Sequence, residues 1–139
     1  MLLLIDTRCN SGFAVAVGKE KIESYKIVKK DFVQSELLLK EIDNLMRRAG
    51  VKKLKIIFVS AGPGDFSALR VGCATANALG FAWRIPVIGV KPDKTSSGGR
   101  TELEKLWQAG LKKVRVKNFN RKKQELVFPS YHKEPNIGI

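Results

Sequence analysis

Apolar residues in this chain recur at two spacings. Residues 2–6, Leu-Leu-Leu-Ile-Asp, form a continuous apolar run closed by an acid, the pattern of a central strand buried on both faces. Residues 13–17 and 22–28 flank the turn Gly18-Lys19-Glu20-Lys21 and predict two further strands joined as a hairpin. From Ser35 to Ala49 the period lengthens: Leu38, Ile42, Leu45, Met46 and Ala49 share one helical face, and Gly50 stands where a helix is commonly ended. Residues 55–59 return to strand character, residues 68–83 to helix, and residues 87–90, between Pro86 and Pro92, to strand. The predicted order is βββαβαβ, an α/β fold with a mixed central sheet.

Beyond Val90 the texture changes. Residues 91–100 are polar and rich in Gly and Ser, as a linker or long loop would be. Thr101 and Glu104 have the spacing of a capping box, predicting a short helix to about Ala109 that Gly110 terminates. Val114 and Val116 alternate with cations, and residues 126–128 are again apolar, so a hairpin around residues 118–123 is expected. The chain therefore divides into residues 1–91 and a C-terminal segment, residues 92–139, packed on or near them.

At 139 residues the chain has room for one core. No apolar run approaches the ~18 to 20 residues of a membrane span, so no membrane role is expected, and the short apolar start does not read as a leader. The expected location is the cytoplasm. Cys9 and Cys73 have neither metal-ligand spacing nor a disulfide framework, and both read as reduced, mostly buried thiols. Net charge is +13, with 26 basic against 13 acidic side chains. Residues 91–139 carry 12 of the cations and only 5 of the acids, so positive charge is denser toward the C-terminus. Such a field attracts phosphates, although scattered surface lysines more often serve solubility.

Candidate chemistry centres on Gly62-Pro63-Gly64-Asp65-Phe66-Ser67-Ala68-Leu69-Arg70, a glycine turn between a buried strand and a helix. The turn could cradle an anion, but no Gly-Lys-Ser/Thr ending follows and Asp65 would repel phosphate. The simpler expectation is a tight turn with Asp65 or Ser67 capping the helix. Asp6 stands where a strand-end carboxylate could hold a metal. Two-metal chemistry needs several converging acids, and residues 55–61 offer none, so no metal is expected. His132 is the sole histidine and lies in a Pro-flanked tail, without the partners that acid–base catalysis needs.

The second helix carries the clearest signal. From Val71 to Trp83 only Thr75 and Asn77 are polar, and nothing is charged. Ala68, Gly72, Ala76 and Gly80 form an i, i+4 row of small residues suited to close approach by the sheet, flanked by Leu69, Leu79 and Trp83. Ala74, Ala78 and Phe81 then point away, and Leu37 falls off the core stripe of the first helix. Exposed apolar faces of this kind mark interfaces, unless the C-terminal segment covers them.

Residues 59–90, VSAGPGDFSALRVGCATANALGFAWRIPVIGV, resemble the TsaB (YeaZ) family pattern GPGSFTGLRIGVATAKGLA followed by IPLVGV. Leu4-Ile5-Asp6-Thr7 is similar to that family's opening IDT, and Gln34-Ser35-Glu36-Leu37-Leu38 to its HSExLL helix start. The resemblance spans residues 1–92 in order, with Asp65, Ser67, Ala68 and Gln34 departing from the pattern. It implies an actin-like ATPase or ribonuclease H-like fold, with residues 92–139 as a reduced remnant of the family's second domain. Residues 129–135 resemble the family's C-terminal PxYLR segment.

By the same resemblance the chain would be a noncatalytic subunit that binds a TsaD-like catalytic paralogue. Together with a TsaE-like ATPase, that enzyme transfers a threonylcarbamoyl group to adenosine 37 of tRNAs reading ANN codons. ATP and metal would then belong to the partner subunits, with no cofactor held by this chain. The expected contact residues are Leu37, Glu41, Leu45, Ala74, Asn77, Ala78 and Phe81, and the free chain could self-associate through the same helices. From the residues alone, two other classes stay open: a basic tRNA-binding module around residues 112–123 with Phe119, and a metal-dependent ribonuclease H-like nuclease using Asp6.

Overall fold

The computed structural model describes residues 1–91, 99–116 and 126–130. The elements run β1 (Leu2–Cys9), β2 (Gly12–Gly18), β3 (Ile22–Val28), α1 (Gln34–Arg48), β4 (Ile56–Ser60), α2 (Phe66–Trp83), β5 (Val87–Val90) and α3 (Arg100–Val116). Five strands make one mixed sheet in the order β3-β2-β1-β4-β5. β1 pairs antiparallel with β2 and parallel with β4, and β4 pairs parallel with β5. The apolar run at the start of the chain is therefore the central strand, with Leu3, Leu4 and Ile5 fully buried.

Strand alternation sends side chains to two separate cores. Leu3, Ile5, Val15, Val17, Ile57 and Val59 pack with Leu38, Ile42 and Leu45 of α1 and Cys73 and Ala76 of α2. Leu4, Ala16, Phe58, Ile88 and Val90 meet Leu103, Leu106, Trp107 and Leu111 of α3 on the other face. The row of small residues on α2 does bring helix and sheet together. A Cβ at Gly72 would meet Thr7 Oγ1 at 2.0 Å, and one at Gly80 would meet the Val87 side chain at 2.3 Å. Gly50, at φ +66°, follows the C-cap of α1 as expected.

Several boundaries differ from the sequence reading. β1 continues three residues past Asp6 to Cys9, so Asp6 lies within the strand, paired with Ala14, instead of at its end. Cys9 is exposed, unlike Cys73. The third helix does not stop at Gly110 but runs on to Val116, so Val114 and Val116 are helical and not in a strand. A glycine inside a helix costs only ~1 kcal/mol. Burying Leu111, the residue just beyond the glycine, returns roughly 1.5 to 3 kcal/mol, enough to carry the helix through. The glycine also admits the Phe58 ring, which stands edge-on to Trp107 at 5.8 Å between centroids. Glu104 pairs with Arg100 in place of the expected capping box. Residues 126–128 are not a strand, and the hairpin expected at residues 118–123 lies outside the described residues.

Gly110 supplies a direct check. A Cβ there would lie 2.7 to 2.8 Å from three ring atoms of fully buried Phe58. Gly110→Ala is expected to lower stability by about 1 to 2 kcal/mol in urea unfolding, despite alanine's better helix propensity.

Candidate docking surface and strand-edge cluster

The glycine turn acts as a staple between β1 and α2. Gly64 packs on the Arg8 backbone, and the Asp65 N–H donates to the Arg8 carbonyl at 2.8 Å. The Asp65 carboxylate accepts the Asn10 N–H at 2.8 Å. Asp65 therefore holds the N-cap backbone position of α2 without capping it through its side chain, and Ser67 is exposed. The expected side-chain cap is absent because the carboxylate is committed to the β1–β2 turn. Thr7 completes the staple: its hydroxyl donates to the Ala68 carbonyl at 2.7 Å in a buried bond. Gln34 plays the same part for α1, its amide donating to the carbonyls of Cys9 and Gly12. Phe66 and Leu69 stand on opposite sides: Leu69 is fully buried, whereas Phe66 is exposed under the Arg70 guanidinium at 5.3 Å. Gly62, at φ +109°, has room only for hydrogen, since a Cβ would strike the Ser130 carbonyl at 2.0 Å. Pro63 is exposed.

The predicted contact residues separate into two groups. Ala74, Ala78 and Phe81 lie on the outer face of α2, with Phe81 77% exposed, and Leu37 and Glu41 of α1 are half-buried. Leu45 has no exposed surface and belongs to the core, because it falls on the same helical face as Leu38 and Ile42. Asn77 is also engaged: its side-chain amide donates to the Val127 carbonyl at 2.8 Å and accepts the Val127 N–H at 3.0 Å. Leu39 is exposed on α1, a position that the stripe analysis passed over.

Asn77 anchors a short strap, residues 126–130. The Ser130 N–H donates to the Ala61 carbonyl, and Val127 packs against the core beside Gly89. Leu126 and Phe128 face outward, 64% and 75% exposed. The C-terminal region thus covers one flank of α2 with a backbone clasp and leaves Phe81 uncovered among the described residues.

On the α3 side of the sheet, Asp6, Arg8 and Glu102 form a single network that the sequence reading missed. Arg8 donates through Nε and Nη2 to the two Asp6 carboxylate oxygens at 2.8 and 3.0 Å, and Nη2 also donates to Glu102 Oε1. The side chains of Asp6, Arg8 and Glu102 are 13%, 16% and 6% exposed. Among the described residues, no group of three or more His, Cys, Asp or Glu could hold a metal ion. No helix among them is long and apolar enough to cross a membrane.

A mixed sheet opened by an antiparallel meander, with two helices on one face, is an actin-like, ribonuclease H-like arrangement, the class that YeaZ (TsaB) proteins represent. Comparison makes this particular. The structure is similar to YeaZ from Pseudomonas aeruginosa, with a TM-score of 0.61 and 26% identity over 66% of this chain and 43% of that one. A second P. aeruginosa structure, described as similar to peptidase YEAZ, agrees at a TM-score of 0.60 with the same coverage. Residues 29–92, from just before α1 through β5, match the family described as TsaD, tRNA N6-adenosine threonylcarbamoyltransferase. Curated relatives carrying that name come from Geobacillus thermodenitrificans (35% identical) and Bacillus subtilis (34%), each aligned over 109 residues and 64% of this chain. The chain spans about a third of the length of those relatives (31%) and less than half that of the YeaZ structures. The resemblance carried by the IDT and GPGDFSALR motifs is thus matched by the three-dimensional fold.

Two outcomes follow from this geometry. Asn77→Ala is expected to cost about 1 to 3 kcal/mol, since it removes both bonds to Val127, and to deprotect the Val127 and Ser130 amides in hydrogen exchange while α1 and the sheet keep their protection. Burial pushes the Cys73 thiol up to about 11 from the ordinary 9.0. At pH 8 iodoacetamide should therefore label exposed Cys9 and spare Cys73 until the chain unfolds. An unfolded thiol ionises first as pH rises, so this group adds stability below about pH 9 that is lost by about pH 11.

Proposed function

We propose that this chain is a noncatalytic docking subunit that binds a TsaD-like enzyme through the outer faces of α1 and α2, and so supports threonylcarbamoylation of tRNA adenosine. The supporting observation is the outer surface of α2, where Ala74, Ala78 and Phe81 stand exposed on a helix that has no charged residue from Val71 to Trp83. A helix with no polar face is suited to burial against a second apolar surface. The row that could have explained this composition, Ala68, Gly72, Ala76 and Gly80, is already spent on the sheet. Leu39, with half-buried Leu37 and Glu41, extends the surface onto α1. The family model named for the transferase supports the partner class, since the residues it matches, 29–92, include both helices.

The noncatalytic part of the reading rests on Asp6, whose carboxylate oxygens are both engaged by Arg8. ATP and metal would be held by the TsaD-like and TsaE-like subunits, and tRNA would reach this chain within their complex. Alone, the same helices provide a surface for self-association.

Phe81→Asp and Ala78→Arg test the assignment, because both sites are exposed and neither substitution creates a core cavity. Light-scattering mass on a sizing column, with the TsaD-like enzyme of the same genome, is expected to give a salt-resistant complex for the unaltered chain. Each variant should remain folded and bind at least about 30-fold more weakly, the loss of a central interface residue. Undiminished binding by both variants rules out this face. Absence of any complex, with tRNA binding that fades steeply as salt rises, would favour the basic module, to which exposed Lys112 and Arg115 of α3 would contribute.

A further inference from the structure

The edge of the sheet beneath α3 holds a set of oxygen atoms that neither the docking surface nor the staple uses. Leu4 pairs with Phe58 and Ile5 with Val59, so the parallel register, carried one step further, sets Asp6 beside Ser60. Alternation along β4 turns Ser60 toward α3, the side taken by Ile56 and Phe58. Its register partner Val90 also packs on α3. Ser60 has no exposed surface, and its hydroxyl has no hydrogen-bond partner among the described residues. A buried hydroxyl left unpaired is unusual and costs stability unless something is gained. Two carboxylates, Asp6 and Glu102, converge on the same side of the sheet.

Carboxylate and hydroxyl oxygens are the donors that a hard divalent cation selects. Here the charge between the two acids is the Arg8 guanidinium, which reaches both. Two carboxylates this close and this buried repel each other strongly when no cation lies between them. We propose that Arg8 is a resident cation in a divalent-ion-type site formed by Asp6, Glu102 and Ser60 Oγ, which makes the chain independent of metal. The planar guanidinium suits this part, because it offers forked donors to two acids at once. The inference extends the noncatalytic half of the proposed function and rests on it there; docking is read in a separate assay, so either can fail alone.

The test compares the unaltered chain, Arg8→Met and the double variant Arg8→Met/Glu102→Gln, using Mn²⁺ as the probe. Methionine keeps the apolar bulk of the arginine stem and removes its charge. Electron paramagnetic resonance titration is expected to show one Mn²⁺ bound by Arg8→Met at least about tenfold more tightly than by the unaltered chain, with a melting temperature that rises as Mn²⁺ is added. The double variant should lose that gain. If Arg8→Met is unfolded in a chelator, Mn²⁺ is expected to restore the near-ultraviolet signal of Trp107, as metal-coupled folding would. Failure of Mn²⁺ to bind or refold Arg8→Met overturns the inference. So does equal uptake by the unaltered chain, or a gain that survives in the double variant. None of these outcomes bears on whether Phe81→Asp abolishes the docked complex.

Discussion

The fold depends on the burial of β1 on both faces at once. Leu3, Leu4 and Ile5 carry no polar group that could tolerate water, and the strand is hydrogen-bonded to β2 on one side and β4 on the other. Two covering layers are therefore required. α1 and α2 supply one and α3 the other, and each is secured to the sheet by a polar contact at the same end of β1. Thr7 ties down α2, Gln34 ties α1 to the β1–β2 turn, and Arg8 ties down α3.

These tethers have different energetic characters. Thr7 satisfies a buried backbone carbonyl and Gln34 two partly buried ones, each bond worth on the order of 1 kcal/mol net. Arg8 is a nearly buried ion network, in which most of the Coulomb attraction is offset by desolvation. The apolar seam of Phe58, Leu106, Trp107 and Leu111 therefore holds α3 in place, while the ion network selects where along the sheet its first turn lands. The outer face of α2 obeys no comparable constraint. Its residues are apolar although nothing among the described residues covers Ala74, Ala78 or Phe81.

Much of this architecture was legible in the residues, because periodicity reports burial directly. The continuous run at residues 2–6, the 3.6-residue stripe of α1 and the small-residue row of α2 each state which side meets the sheet. Helix ends and side-chain partners were less legible, since they depend on residues far away in the chain. Gly110 reads as a stop signal until the Phe58 ring is known to stand where its Cβ would be. Asp65 reads as a cap until Asn10 takes its carboxylate. Arg8 and Glu102 are 94 residues apart, and a single charged residue in a strand carries no mark of its partner. Leu45 shows the reverse: its place on the core stripe was visible, and that alone excludes it from any outer surface. Asn77 was conspicuous as a polar residue in an apolar helix, but its bonds to a strap 50 residues away were not.

The place of α3 in the chain has a consequence for biosynthesis. The sheet is assembled from residues 2–90, whereas the helix that covers its second face begins only at Arg100 and reaches Leu111 later still. On the ribosome, Leu4, Ala16, Phe58, Ile88 and Val90 are therefore complete as a surface before their cover exists. For the time taken to add the residues from Val90 to Leu111, on the order of seconds, the nascent sheet presents a naked apolar face.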